Sequence, residues 1–346
     1  MNGLTSFLFL CFFIPAAINS QFIDLQTMTQ DFVLETKKID IPGYPHSFNP
    51  TLTRWDGCLL MTFRIQKDGD TSKNGFVILN DDLEIISDPK PLEILFKNPP
   101  EYEKMQDPRI IEVANKHFIL FNNQIGVAPT TKEIRRMFLA SLKYDGERLY
   151  TNNPEALLHF DKTQEQYQEK NWVPFAYKDR LYLAYSLNPH TIFRPEPETE
   201  SCATIASTKS SLAWNWGPPR GGTPALLVDG QYLAFFHSSQ LMMTTQSKGK
   251  KIAHYFMGAY TFSKNPPFAI TAMSPEPIVG PNFYEGEQYQ TWKPLVVVFP
   301  CGFVYDENFI WISYGRQDHE VWIAKLDKKK LLDSLIPVNQ VKEDAQ

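Results

Sequence analysis

The chain has 346 residues, 43% hydrophobic and 21% charged, which supports a sizeable core and excludes a disordered chain. A formal net charge of −5, with no Lys/Arg block or stripe, excludes the electrostatic footprint of a nucleic-acid partner. Aromatic residues reach 14%, with 25 Phe and 15 Tyr, a composition that favours strands.

Residues 1–20, MNGLTSFLFLCFFIPAAINS, carry no charge. Their apolar run Phe7–Ala17 is too short to span a bilayer, and small or polar residues follow, with a plausible cleavage point near Ser20. The segment resembles a secretory signal peptide, although it lacks the usual basic residue near Met1. It predicts a secreted or periplasmic protein with no membrane attachment after removal. Cys58, Cys202 and Cys301 then remain, an odd number in no metal-ligand spacing, and Cys58 and Cys301 read as buried thiols. The seven His residues are also scattered, so no metal site is expected.

Residues 21–43 are read as a segment that joins the outer strands of the fold. Five segments of one design follow: FNPTLTRWDGCLLMTFR (48–64), QDPRIIEVANKHFILFN (106–122), NWVPFAYKDRLYLAYS (171–186), GGTPALLVDGQYLAFFH (221–237) and FPCGFVYDENFIWISYG (299–315). Each opens beside a proline, at Pro50, Pro108, Pro174, Pro224 and Pro300, where a strand entrance tolerates the missing N–H. A short apolar stretch, a turn such as WDG or VDG, and a second apolar strand complete a hairpin. The intervening stretches 74–80, 137–145, 254–263 and 321–327 supply further strands. Repeated units of about 50–75 residues with four short strands each predict an all-β, five-bladed β-propeller over 44–327. A C-terminal tail, 328–346, carries a short helical stretch near Lys328–Leu335. A β-sandwich accounts for the strands but not for five spaced copies.

In a propeller the inner strand of each blade lines the central channel. Strand starts therefore bring Asn49, Asp107, Arg109, Lys170, Asn171, Arg220 and Thr223 to one rim, and the paired strands return Arg64, Asn122, Ser186 and His237 to it. Acid, base and amides converging in this way are the pattern of a small-molecule site. The alternative is that these groups tie neighbouring blades together.

Read in order, FNPTL, DPRI, KNW-PF, GGTPAL with FFH, SPEPI, and VVFPCG with SYGRQD resemble glycoside hydrolase family 130 over residues 44–327. The resemblance implies a five-bladed propeller that cleaves or transfers a β-mannosyl group with inversion, by phosphorolysis or hydrolysis, on an oligosaccharide or glycan. A mannosyltransferase or a non-catalytic glycan-binding propeller are the alternatives. The resemblance also implies no cofactor, with inorganic phosphate as a possible co-substrate. It places the catalytic acid at Asp107, which would need a raised pKa to stay protonated. It places the phosphate-meeting histidine at His237, with Arg64, Lys170 and Arg220 completing a cationic cluster, and a sugar contact at Asp318. If water is the nucleophile, a second carboxylate about 6.5–9.5 Å from the acid is required, and Glu285, Glu287 and Asp318 are candidates. Trp172, Tyr185, Trp292 and Tyr314 are candidates to stack on sugar. The Pro-rich stretch 189–198 reads as a loop over the ring mouth that carries His190 to the site.

Overall fold

The computed structural model describes residues 22–341, except 66–72, 103, 131, 161–166 and 292. The stretch 1–20, expected to be a signal peptide, and Trp292 lie outside the described residues.

All five predicted hairpins form, and each is the inner half of a blade. Blade one pairs Ser47–Trp55 with Cys58–Ile65, followed by Lys73–Leu79 and Lys90–Leu95. Blade two runs Gln106–Val113, Lys116–Val127, Glu133–Tyr144 and Leu149–Asn152. Blade three runs Val173–Tyr177, Arg180–Leu187, His190–Glu196 and Ser201–Thr208. In blade four the inner strand is broken into Arg220–Gly221 and Leu226–Val228, both paired to Gln231–Met242, with Ile252–Ser263 and Ile270–Met273 outside. Blade five runs Val298–Tyr305, Phe309–Arg316 and Glu320–Asp327, and the N-terminal strand Val33–Lys38 adds antiparallel to its outer edge. The blade is thus built from both ends of the described chain.

The strands are apolar on both faces because each face packs on a different neighbouring blade. Leu59, Met61 and Phe63 meet Val304, Val321 and Ile323 of blade five, whereas the alternate residue Leu60 meets Ile110, Ile119 and Phe121 of blade two. Leu120, Met137 and Leu139 of blade two meet Trp172, Leu183 and Phe193 of blade three, and a large cluster joins blades three, four and five. The core therefore lies between consecutive blades and closes from the fifth back to the first.

At the centre the inner strands touch directly. A Cβ on Gly302 would lie 2.5 Å from the Leu52 nitrogen, and one on Gly221 would lie 2.3 Å from the Asn171 carbonyl oxygen, so these crossings require glycine. Hydroxyls stitch the ring. Thr51 reaches the carbonyls of Pro108 and Cys301, and Ser313 donates to the Pro50 carbonyl at 2.6 Å.

Two features differ from the sequence reading. The stretch 189–198 is not a loop: His190–Glu196 is the third strand of blade three, followed by a 3-10 turn at Pro197–Thr199. Cys58 is only half-buried at its strand start, while Cys301 is fully buried. The short helix forms over Lys328–Ser334, capped by the Asp327 side chain accepting from the Lys330 N–H.

Candidate active site

The starts of the inner strands are not regular. Blades one, two and five each carry a one-residue bulge at the proline, between Phe48 and Thr51, between Gln106 and Arg109, and between Pro300 and Gly302. Asn49 and Asp107 occupy the first two bulges at φ +48° and +51°, a left-handed conformation that Asx side chains tolerate best among non-glycine residues. A bulge of this kind re-aims a side chain, and strain of this kind gathers at functional sites.

The result is a polar cluster drawn from every blade. Asn49 of blade one donates its amide to Asp107 Oδ1 of blade two at 2.9 Å. Arg64, on the second strand of blade one, pairs with the same oxygen at 3.2 Å and lies over the Phe48 ring. Arg109 donates to the Asp107 main-chain carbonyl, but its Nε and Nη2 are buried without an acceptor, with the guanidinium 5.8 Å from the Phe299 ring centre. Lys170 approaches from the connection into blade three and acts electrostatically on Asp107, His237 and Asp318. From blade four, Arg220 and His237 are direct cross-strand partners. His237 is buried with Nδ1 unpartnered, its ring 4.4 Å from Phe299 and stacked over Tyr255. Blade five contributes Asp318, in the turn between its second and third strands, half-buried and in the field of Arg64, Asp107 and Lys170.

Burial pushes the Asp107 carboxyl up, but Arg64, Arg109, the Asn49 amide and Lys170 together outweigh it and hold it down to about 2. The raised pKa expected from the sequence is therefore reversed, and Asp107 is ionised. Asp318 shifts the other way, raised by burial with Asp107 adding and Arg64 opposing. His237 is pushed down to about 3 by burial and then by Arg109, Arg220 and Lys170, so it stands neutral rather than as the cation expected. Burial likewise lowers Lys170, with Asp107 opposing.

Not every predicted residue enters the cluster. The Thr223 hydroxyl donates to the Pro224 carbonyl and accepts the Phe235 N–H, so it is spent on the backbone and has no proton left for substrate. Tyr314 is fully buried against Phe283 and Trp322 and cannot stack on a sugar; Trp172 is likewise buried among Phe160, Tyr185 and Phe193. Asn171, at φ +66°, presents its carbonyl to Gly221 at the contact between blades three and four. His190 is buried between blades three and four, bonded to the Phe268 carbonyl at 2.8 Å and packed on Tyr260 and Phe262. Asn122 donates to the Gln106 carbonyl, and the Ser186 hydroxyl to that of Pro189. Glu285 and Glu287 are exposed, whereas Asp318 is half-buried and interacts electrostatically with Asp107.

Two further residues escaped the sequence reading. Tyr255 is half-buried on the strand beyond His237, where Asp318 and Arg220 both act on it. Arg135 clamps Asn122 at 3.0 Å and Glu133 at 2.7 Å, and also donates to the Lys104 carbonyl. The only signal for Arg135 was a basic residue on the strand paired to Asn122–Gln124. Beside the cluster, a cleft of about 290 Å³ opens between the 39–47 connection and His319–Glu320. The other mouth, at the hairpin turns, holds a cavity of about 150 Å³ lined by Leu52, Ile110, Pro224, Phe303 and Tyr305.

The model of glycoside hydrolase family 130, described as beta-1,4-mannooligosaccharide phosphorylase, matches residues 26–336. A 1,2-beta-oligomannan phosphorylase of Thermoanaerobacter sp. (strain X514) is 24% identical over 272 residues, covering 75% of this chain and 80% of that protein. Among solved structures, a glycosyl hydrolase from Bacteroides ovatus superposes with a TM-score of 0.56 at 14% identity, covering 93% of this chain and 96% of the other. The beta-1,2-mannobiose phosphorylase from Listeria innocua, in complex with beta-1,2-mannobiose, gives 0.56 at 12% identity, covering 89% and 95%. At these identities the structural likeness establishes the fold, a five-bladed propeller.

Proposed function

We propose, from the premise that this chain belongs to glycoside hydrolase family 130, that it breaks a β-mannosidic bond by phosphorolysis with inversion. The observation that carries this reading is the arc of Arg109, Lys170, Arg220 and His237 beside Asp107, in which buried Arg109 and His237 nitrogens have no hydrogen-bond partner. A phosphate dianion supplies the missing acceptors, and cations must gather there if an anion is to approach an electron-rich sugar. In the reaction a phosphate oxygen attacks the anomeric carbon from the face opposite the leaving group. The C1–O bond breaks, and the leaving oxygen takes a proton from the Asp107 side, directly or through a sugar hydroxyl. Asp318, across the site, accepts hydroxyls of the bound sugar, and Tyr255 offers an apolar face beside it.

A hydrolytic reading has one observation in its favour. Asp318 is a second carboxylate in the field of Asp107, as an inverting hydrolase requires. Incubation with β-linked mannooligosaccharides, with and without inorganic phosphate, separates the two. Mannose 1-phosphate formed only with phosphate supports phosphorolysis, and free mannose formed without it supports hydrolysis. No turnover under either condition removes the catalytic reading.

A further inference from the structure

A leaving alkoxide needs a proton, yet Asp107 Oδ1 is paired with Arg64 at 3.2 Å and accepts the Asn49 amide at 2.9 Å, contacts that favour its carboxylate, while His237 is buried among cations with Nδ1 unpartnered. The groups that face Asp107 explain why. Arg64 and Asn49 come from blade one, Arg109 from its own strand, Lys170 from the approach to blade three, and His237 from blade four, with Asp318 and the Cys301 thiol from blade five. Arg220 acts on the same space through its effect on Lys170 and His237. Arg64, Arg109 and Lys170 thus act on one carboxylate with Arg220 beside them, and Arg109 and His237 keep buried nitrogens without a hydrogen-bond partner.

We infer that an oxyanion seated in this arc loads the site with protons, arming Asp107 as the acid and charging His237 to hold the anion. The inference rests on the phosphorolytic reading. A dianion bonded to Arg109, Lys170 and Arg220 cancels the positive field that keeps a proton off His237. Its own charge, a few ångströms from Asp107, disfavours the carboxylate. Both effects have the same sign, so both groups take protons from solvent. The Asp107 proton then passes to the glycosidic oxygen as the C1–O bond breaks and the phosphate oxygen bonds to C1, and Asp107 returns ionised with no further reactant needed. The acid exists only while the nucleophile is bound. Water entering an empty arc meets a carboxylate in place of an acid, so hydrolysis is suppressed.

Calorimetric titration of the full chain tests this. Sulfate is the first probe, because it is a dianion that does not titrate near neutrality, and inorganic phosphate is the second. Each is titrated at about pH 6 in two buffers of different ionisation enthalpy, and the difference counts the protons taken up. Sulfate binding is expected to bring in roughly one to two protons. Asp107→Asn and His237→Asn should each lower that number by about one, with near-ultraviolet circular dichroism confirming that the variants are folded. Binding with no proton uptake, while phosphorolysis still proceeds, overturns the inference and leaves the phosphorolytic reading standing. Uptake undiminished in both variants also overturns it. If neither anion binds, the reading and the inference fall together.

Discussion

Asn49 and Asp107, at the entrances of two neighbouring blades, share a backbone conformation and a hydrogen bond. Each sits at positive φ immediately before a proline, and the Asn49 amide reaches Asp107 Oδ1 at 2.9 Å. The bulge that turns one side chain into the channel is the bulge that turns its partner toward it. Asn49→Gly keeps the left-handed backbone and deletes the amide. It should lower kcat/KM roughly 10- to 100-fold, the equivalent of one charge-assisted hydrogen bond, with the far-ultraviolet circular dichroism unchanged.

Ring closure predicts a steric test. Gly302→Ala places a methyl 2.5 Å from the Leu52 nitrogen, where the inner strands of blades five and one meet. The backbones have to separate, and the substitution should destabilise the fold by about 1–3 kcal/mol, read from denaturant unfolding. Gly57→Ala, at a hairpin turn with nothing within 4 Å, removes no contact and differs only through its positive φ of +78°. It should be destabilising by about 1–2 kcal/mol for the backbone alone.

Stability should fall with acid in two stages. His237 and His190 have folded pKa values lowered to about 3 and about 4, chiefly by burial. Below the unfolded value of about 6.5, the unfolded chain binds protons that the folded chain refuses, so stability is lost as pH falls from there. Asp107, lowered to about 2, contributes above its unfolded value of about 3.9, and that contribution of about 2 kcal/mol is lost as pH falls toward 2. Unfolding free energies between pH 7 and 3 should therefore slope downward, and His237→Asn should make the slope shallower by about one proton between pH 6.5 and 4.

Tyr314 offers a negative test. Its hydroxyl is buried with no partner, so Tyr314→Phe should leave kcat and KM unchanged and stability equal or higher by up to about 1 kcal/mol. A large rise in KM would mean that the ring reaches substrate after all.

The fold was legible because its signals are local. Prolines at strand entrances, Asp-Gly turns and paired apolar runs each report a hairpin, and five copies report the ring. Asn49, Asp107, Arg109 and Arg220 converge because they stand at inner-strand starts, and Arg64 and His237 return to the same rim on the paired strands. What escaped depends on the neighbouring blades. Thr223 precedes a proline as Asn49 and Asp107 do, yet its short branched side chain satisfies the local backbone instead. Tyr314 follows the spacing of Arg64 but points into the blade interface, because a one-residue difference in register reverses the face. The prolines of 189–198 suggested a loop, although Pro195 pairs within the blade-three sheet. The sign of the Asp107 shift comes from Arg64 on blade one, Arg109 on its own strand and Lys170 on the approach to blade three, and spacing along one chain cannot give their distances.

The central claim is that five blades gather a cationic arc around Asp107 to receive phosphate beside a β-mannoside. A crystal structure of the protein with phosphate and a β-linked mannobiose tests it most directly. The account predicts a tetrahedral anion bonded to Arg109 and His237, with the sugar between it and Asp318 and the glycosidic oxygen on the Asp107 side. An empty arc, with the sugar bound at the opposite mouth against Leu52, Ile110 and Phe303, would contradict it.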